Sequence, residues 1–216
     1  MFTGIVEEVG SIKRIQKISS QSMELEIMAE TVLEDIEMGD SIAVNGICLT
    51  VTTFSKNSFS VDVMPETIKA TSLNGLKTHL PVNLERAMAA NGRFGGHFVT
   101  GHIDTTGTII KKEAQDNAVY YEIEVPRHLE DYFIEKGSIA IDGISLTIFK
   151  IGATSILLSI IPHTVSETIL GAKGTGDIVN IECDMLLKHV HHLMKLGPVA
   201  HSDQLNERFL INNGFM

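Results

Sequence analysis

The chain has 216 residues, 44% of them apolar, with 17 lysines and arginines against 27 acids and a net charge of −10. That is enough for one large domain or two of about 100 residues with filled cores, which excludes a disordered chain. The acidic surface repels a phosphate backbone, so nucleic acid is not expected as a partner, and no apolar run reaches the roughly 18 residues of a membrane span.

The start, "MFTGIVEEVG", has no basic segment ahead of an apolar stretch, and Cys48 and Cys183 suit a reducing compartment, so a cytoplasmic location is expected. From Thr3 onward the chain repeats itself at a constant shift of 97. Thr3-Gly4 meets Thr100-Gly101, Ser41-Ile42-Ala43 meets Ser138-Ile139-Ala140, and Val82-Asn83 and Glu85 meet Val179-Asn180 and Glu182. The match needs no gap over eighty residues, so residues 1–96 and 97–185 read as two copies of one domain, followed by a tail at 186–216.

In the first copy, "ETVLEDIEMGD" (30–40) reads as a short helical piece, and "SIAVNGICLTVTTFS" (41–55) and "SFSVDVMP" (58–65) as strands with a turn at Asn45-Gly46. Another short helix follows Pro65, and "AANGRFGGH" (89–97) is the connection. The second copy repeats this order with "RHLEDYFIEKG", "SIAIDGISLTIFKIG", a turn at Asp142-Gly143, "SILLSIIP" and a helix after Pro162. "GAKGTG" (171–176) fits no phosphate-binding motif and reads as a loop. The fold class is mainly β, with two similar six-stranded Greek-key barrels and a C-terminal helix. In that helix, "MLLKHVHHLMKLG", Leu186, Val190 and Leu193 form an apolar stripe with Leu187 and Met194 beside it, and Gly197-Pro198 ends it. The stripe is read as a self-association surface, with docking on its own barrel as the alternative.

Strand alternation puts Ile47, Leu49 and Val51 on one face of their strand and Cys48, Thr50 and Thr52 on the other. In the copy, Ile144, Leu146 and Ile148 oppose Ser145 and Thr147. An apolar core backed by small hydroxyl or thiol groups suits a flat polar heterocycle, and equally a solvated outer face. Cys48 taken alone reads as a small buried hydrophobe sooner than as a nucleophile. His97 and His102 read as loop histidines, and His189 and His192 as exposed. No third ligand stands near His97 and His102, and no metal is expected.

The blocks "MFTGIVEEVG", "NGICLTV", "VDVMPET", "AANGRFGGHFVTGHID", "DGISLTI", "IPHT" and "VNIECD" together resemble the riboflavin synthase alpha-chain family over essentially the whole chain. The resemblance implies two lumazine-binding barrels, a homotrimer joined by the C-terminal helices, and an active site between the N-barrel of one chain and the C-barrel of its neighbour. It implies dismutation of two 6,7-dimethyl-8-ribityllumazine molecules into riboflavin and 5-amino-6-ribitylaminouracil, with no metal, flavin or nicotinamide cofactor. Two like substrates in unlike roles would account for a duplicated pocket whose Cys48 has become Ser145.

Carried over by motif, the N-barrel pocket is Gly4, Ile5 and Val6, then Cys48, Leu49 and Thr50, then Asp62, Val63, Met64, Pro65, Glu66 and Thr67. The C-barrel pocket is Gly101, His102 and Ile103, then Lys136, then Ser145, Leu146 and Thr147, then Ile160, Ile161, Pro162, His163, Thr164 and Val165. Phe2, Ser41 and Asp184 fit the surroundings. Cys48, His102, Ser145, Thr147 and Asp184 are the catalytic candidates. A lumazine synthase shell is a candidate partner, because some bacterial members of that family sit inside one. The rival readings are a lumazine-binding protein without synthase activity, and a flavin reductase, which would need an α/β half this chain lacks.

Overall fold

The computed structural model describes residues 1–18, 22–196 and 207–215. Six strands, β1 (Glu8–Lys17), β2 (Met23–Met28), β3 (Ser41–Val44), β4 (Ile47–Phe54), β5 (Ser58–Val63) and β6 (Pro81–Arg86), close in the order β1-β2-β5-β4-β3-β6. Six more, β7 (Thr105–Gln115), β8 (Ala118–Glu124), β9 (Ser138–Ile141), β10 (Ile144–Ile151), β11 (Ser155–Ile160) and β12 (Ile178–Cys183), close in the same circular order. All strand pairs are antiparallel. Closure removes the exposed edges that so short a sheet would otherwise present.

The alternation seen in the sequence fills each barrel. Ile12, Leu25, Ile27, Val61 and Leu84 are fully buried in the first, and Ile109, Tyr121, Ile123, Leu158 and Ile181 in the second. Each such side chain contributes about 1.5–3 kcal/mol. Asn45-Gly46 and Asp142-Gly143 turn β3 into β4 and β9 into β10, with φ of 48° and 78° in the first and 46° and 79° in the second. Those paired positive values make the tight hairpin that suits twisted strands.

The repeat is less regular than the constant shift of 97 implies. Leu25 pairs with Val61 and Tyr121 with Leu158, so β2 corresponds to β8 at a shift of 96, while β5 corresponds to β11 at 97. A one-residue slip turns every side chain of a strand to the opposite face, so register followed burial rather than the numbering. By Val32 and Leu129, both buried, the shift is 97 again.

Helix α1 (Pro65–Ala70) and helix α2 (Pro162–Ser166) each begin on a proline, whose missing N–H is no loss in a first turn. The short pieces expected at 30–40 and 127–137 are 3-10 turns at Thr31–Leu33 and Arg127–Tyr132.

The barrels meet through contacts that repeat with the halves exchanged. Asn83 Nδ2 donates to the Asp142 carbonyl while its Oδ1 accepts from the Ile169 N–H. Asn180 does the same with the Asn45 carbonyl and the Ser72 N–H. All four bonds are 2.8–2.9 Å. Gly46 and Gly143 touch backbone to backbone, and any Cβ there would lie 2.6–2.7 Å from the other's nitrogen. The pairing is that of an internal two-fold axis. One member differs: Asp142, fully buried, is bound by Lys173 Nζ at 2.5 Å, where the first half has Asn45 and Leu76.

Helix α3 (Met185–Lys195) leans on the second barrel with its polar side. Lys188 Nζ bonds Asp104 at 2.8 and 2.9 Å, and the His191 ring lies 5.1 Å from that of Tyr132. Leu186, Val190 and Leu193 stay more than half exposed, so the helix docks on its own barrel by its polar side and leaves its apolar stripe uncovered. The stop at Gly197-Pro198 lies outside the described residues. Helix α4 (Glu207–Asn212) follows, and none of the described helices is long and apolar enough to cross a membrane.

Candidate functional site

The small polar side chains expected on β4 and β10 do face outward. Thr50 and Thr147 are exposed and Cys48 and Ser145 half-buried, while Ile47, Leu49, Val51, Ile144 and Ile148 are buried and Leu146 packs at the core's edge. Register continues each face onto the next strand, placing Asp62 beside Thr50 and Ser159 beside Thr147. The segments 62–67 and 160–165 then run from this face into α1 and α2.

The leading segments go to the opposite barrels from those expected. The Ser145 N–H donates to the Gly4 carbonyl at 2.7 Å, and the Cys48 N–H donates to the Gly101 carbonyl at 2.9 Å. Val6 packs on the core of the second barrel and Ile103 on that of the first. Gly4, Ile5 and Val6 therefore join Ser145, Leu146 and Thr147, whereas Gly101, His102 and Ile103 join Cys48, Leu49 and Thr50. A repeat carries no record of this exchange, because the two arrangements have the same sequence.

Buried carboxylates hold the crossing strips. Glu85 accepts from the Thr3 N–H at 2.6 Å, the Thr3 hydroxyl at 2.9 Å and the Gly4 N–H at 3.0 Å. Glu182 accepts from the Thr100 N–H at 2.7 Å, its hydroxyl at 2.6 Å and the Gly101 N–H at 2.9 Å. Burial pushes the Glu85 carboxyl upward against the pull of these donors. Phe2 sits between the strips. It forms a backbone bridge with Val99, its own counterpart, and packs fully buried against Ala43 and Ala140, with Cys48 beside the cluster.

Ser145 differs from Cys48 in one contact. His97 Nδ1 lies 2.7 Å from Ser145 Oγ, and no histidine bonds Cys48 among the described residues. His97 Nε2 is buried without a hydrogen-bond partner among the described residues, which favours the tautomer with the proton on Nδ1, since an unmet donor costs more than an idle lone pair. Nδ1–H then donates to Ser145, leaving the serine hydroxyl proton for a ligand. Burial lowers the His97 pKa, and the charge of Asp184 opposes that in part. His97 was read from sequence as an ordinary loop histidine. Its only signal was its place in "GGHFVTGH", outside the self-match.

The His97 shift has a testable sign. With the folded value below the ordinary 6.5, the unfolded chain takes the proton first. Stability from this group is present above that pH and is lost as pH falls through the window below it. Replacing His97 by Gln should flatten the loss of urea midpoint between pH 7.5 and 5; an unchanged slope would assign the loss to other groups.

The remaining candidates surround these faces. Ser41 begins β3 opposite Thr50. Asp184 caps α3 through the Leu186 N–H at 2.8 Å. Lys136 Nζ stands 4.3 Å over the Phe149 ring. His102, Asp62, Met64, Glu66, Ile161, Pro162 and His163 are exposed, Pro65, Thr67, Thr164 and Val165 are half-buried, and Val63 and Ile160 point into the cores. A cavity of about 430 Å³ is lined by Ile15, Met23, Ile68 and Leu76, with Pro65 of the candidate set among its walls. Its equivalent in the second barrel is filled by Lys112, which donates to the carbonyls of Leu170, Gly171 and Lys173.

Comparison with known proteins accounts for the duplication. The model of the lumazine binding domain matches twice, at residues 3–87 and 100–184. Riboflavin synthases of Bacillus amyloliquefaciens and Bacillus subtilis (strain 168) are 55% and 53% identical over 216 residues, covering all of each chain. That of Schizosaccharomyces pombe is 41% identical over 90% of this chain and 94% of its own. Among solved structures, LumP complexed with 6,7-dimethyl-8-(1'-D-ribityl) lumazine superposes with a TM-score of 0.77 at 28% identity, over 85% of this chain and 99% of that one. With two lumazine binding domains in tandem and full-length likeness to these enzymes, the chain belongs to the riboflavin synthase family.

Proposed function

We propose that this chain acts as a riboflavin synthase. Two 6,7-dimethyl-8-ribityllumazine molecules dismutate, one giving a four-carbon unit to the other, to form riboflavin and 5-amino-6-ribitylaminouracil. The enzyme is then a transferase, works in the cytoplasm and needs no cofactor. The observation that carries the reading is the pair of outward faces, each with small hydroxyl or thiol groups on one strand and a crossing strip of main chain beside it. Two like substrates need two like pockets, and face-to-face placement turns a bimolecular encounter into a positioned one.

The lumazine-binding units are 1–96 and 97–185, each lending its leading strip to the other. The pocket of the first barrel is 48–50, 62–67 and 101–103; that of the second is 145–147, 160–165, Lys136 and 4–6. Cys48, His102, Ser145, Thr147 and Asp184 are the groups for proton handling and attack, with His102 now serving the first barrel. Incubation with the lumazine and a chelator should yield one riboflavin per two lumazines, read by visible absorbance. Tight binding with no flavin would instead favour a lumazine-binding protein.

The segment 186–216 is the association segment of a homotrimer, with a lumazine synthase shell as its candidate partner. Burying Leu186, Val190 and Leu193 between chains would contribute about 1.5–3 kcal/mol for each side chain. Val190→Glu with Leu193→Glu should give monomers in sedimentation. Turnover should fall at least tenfold while each barrel still binds lumazine, because the site is shared between chains. Trimers persisting in this variant would refute the assignment.

A further inference from the structure

The two pockets differ in charge at matched places, and the differences mostly run one way. Beside Thr50 stands Asp62; beside Thr147 stands Ser159. The second residue of α1 is Glu66, and that of α2 is His163. The loop before β3 has Gly39, with φ of 94°, where the loop before β9 has Lys136, with φ of 67°. Both donate their N–H to the matching strand, at the Val51 and Ile148 carbonyls, so the backbone is the same and only the side chain is new. A lysine adopts this left-handed conformation at a cost glycine escapes.

The ammonium is also placed. It lies on the Phe149 ring, on the outer face just beyond Thr147, and Tyr120 meets that ring edge-on at 5.9 Å. The matching places in the first barrel are Thr52 and Glu24, so no aromatic support exists there. Glu24 is itself tied to Arg14 at 2.8 Å. Two differences oppose the trend: Lys69 of α1 matches Ser166 of α2, and Asp184 stands where the first half has Ala87, capping α3 near His97. His102 is exposed, on the strip that borders the first barrel. The first pocket thus carries the two carboxylates Asp62 and Glu66, and the second one cation and one carboxylate.

We propose that the second barrel's pocket holds the lumazine that loses its 7-methyl proton, and the first barrel's pocket holds its neutral partner. This rests on the synthase reading above. The methyl C–H bond breaks, its electron pair spreads through the ring toward the pyrimidinedione oxygens, and the proton leaves to water at the open face. Lys136, turning off the Phe149 ring on its flexible stem, meets an oxygen that gains the charge. Asp62 and Glu66 disfavour the same anion in the other pocket.

The test uses 7-methyl-8-ribityllumazine labelled with carbon-13 at the methyl, which keeps the acidic group and lacks the 6-methyl needed to complete transfer. The methyl of the neutral form and the exocyclic methylene of the anion give separate carbon-13 signals. Lys136→Gly takes the residue of the matched place and suits the backbone, so it folds. It should cut the bound methylene signal at pH 7 at least fivefold, and turnover of the full substrate at least tenfold, with neutral ligand still bound. Asp62→Ser with Glu66→His should keep the first methylene signal and add a second. An undiminished methylene signal in Lys136→Gly, or its loss in the double variant, would overturn the assignment. A wild type that forms no riboflavin would remove the synthase reading instead, while the carbon-13 signals still report which pocket favours the anion.

Discussion

Gly101→Ala is expected to destabilise the chain by about 2–5 kcal/mol and to abolish lumazine binding at the first barrel. Two costs combine. The position has φ of 83°, where an L side chain is strained by about 1–2 kcal/mol. The new Cβ would lie 2.5 Å from Cys48 Cβ and 2.8 Å from Cys48 N, and main chain cannot rotate away as a side-chain tip can. Relief means moving the 100–103 strip, which breaks the bond from the Cys48 N–H and loosens the Glu182 clasp, adding about 1–3 kcal/mol of packing cost. Gly39→Ala is the control, since its φ is 94° but nothing lies within 4 Å. Urea denaturation of both, with lumazine titration, checks the claim. Equal losses in the two variants would mean that conformation alone matters and the contact with Cys48 does not.

Phe2→Ala should be as damaging, although it sits one residue from the end of the described chain. Its ring is fully buried among Ala43, Val99 and Ala140, residues too small to close the hole, and a Phe→Ala cavity costs about 3–5 kcal/mol. The same ring anchors the 2–6 strip, so losing it frees Gly4 from Ser145. Turnover should drop at least a hundredfold, whereas Phe2→Leu should retain most of both stability and activity. A wild-type urea midpoint for Phe2→Ala would show that the strip is held by Glu85 alone.

Much of this was legible in the sequence because burial writes a period into a strand. The apolar alternation of Ile47, Leu49 and Val51 and its repetition at Ile144, Leu146 and Ile148 gave the cores, the outward faces and the duplication together. The offset of β2 from β8 was not legible, since an extra residue in one turn is balanced by a loss before Val32, and only strand pairing exposes it. The exchange of Gly4 and Gly101 was hidden for a deeper reason: two copies of one sequence cannot say which copy completes which. His97 escaped because its importance lies in a contact with Ser145, 48 residues away. The α3 stripe was recognised as unpartnered, but Lys188 and His191 had no visible mates until Asp104 and Tyr132 were placed.

The crossing of the strips has a consequence for what a half-chain could do. Each barrel alone lacks the main chain that borders its own outward polar face, so a lone copy could complete that border only by borrowing from another molecule. The architecture is that of a strand-exchanged pair whose two chains have been joined end to end. Joining them replaces an association that dilution could undo by an effective local concentration of about millimolar, supplied by the 87–98 connection. Once tied in this way, the two copies are free to drift apart in chemistry, one toward cysteine and carboxylates, the other toward serine, histidine and lysine, without either losing its mate.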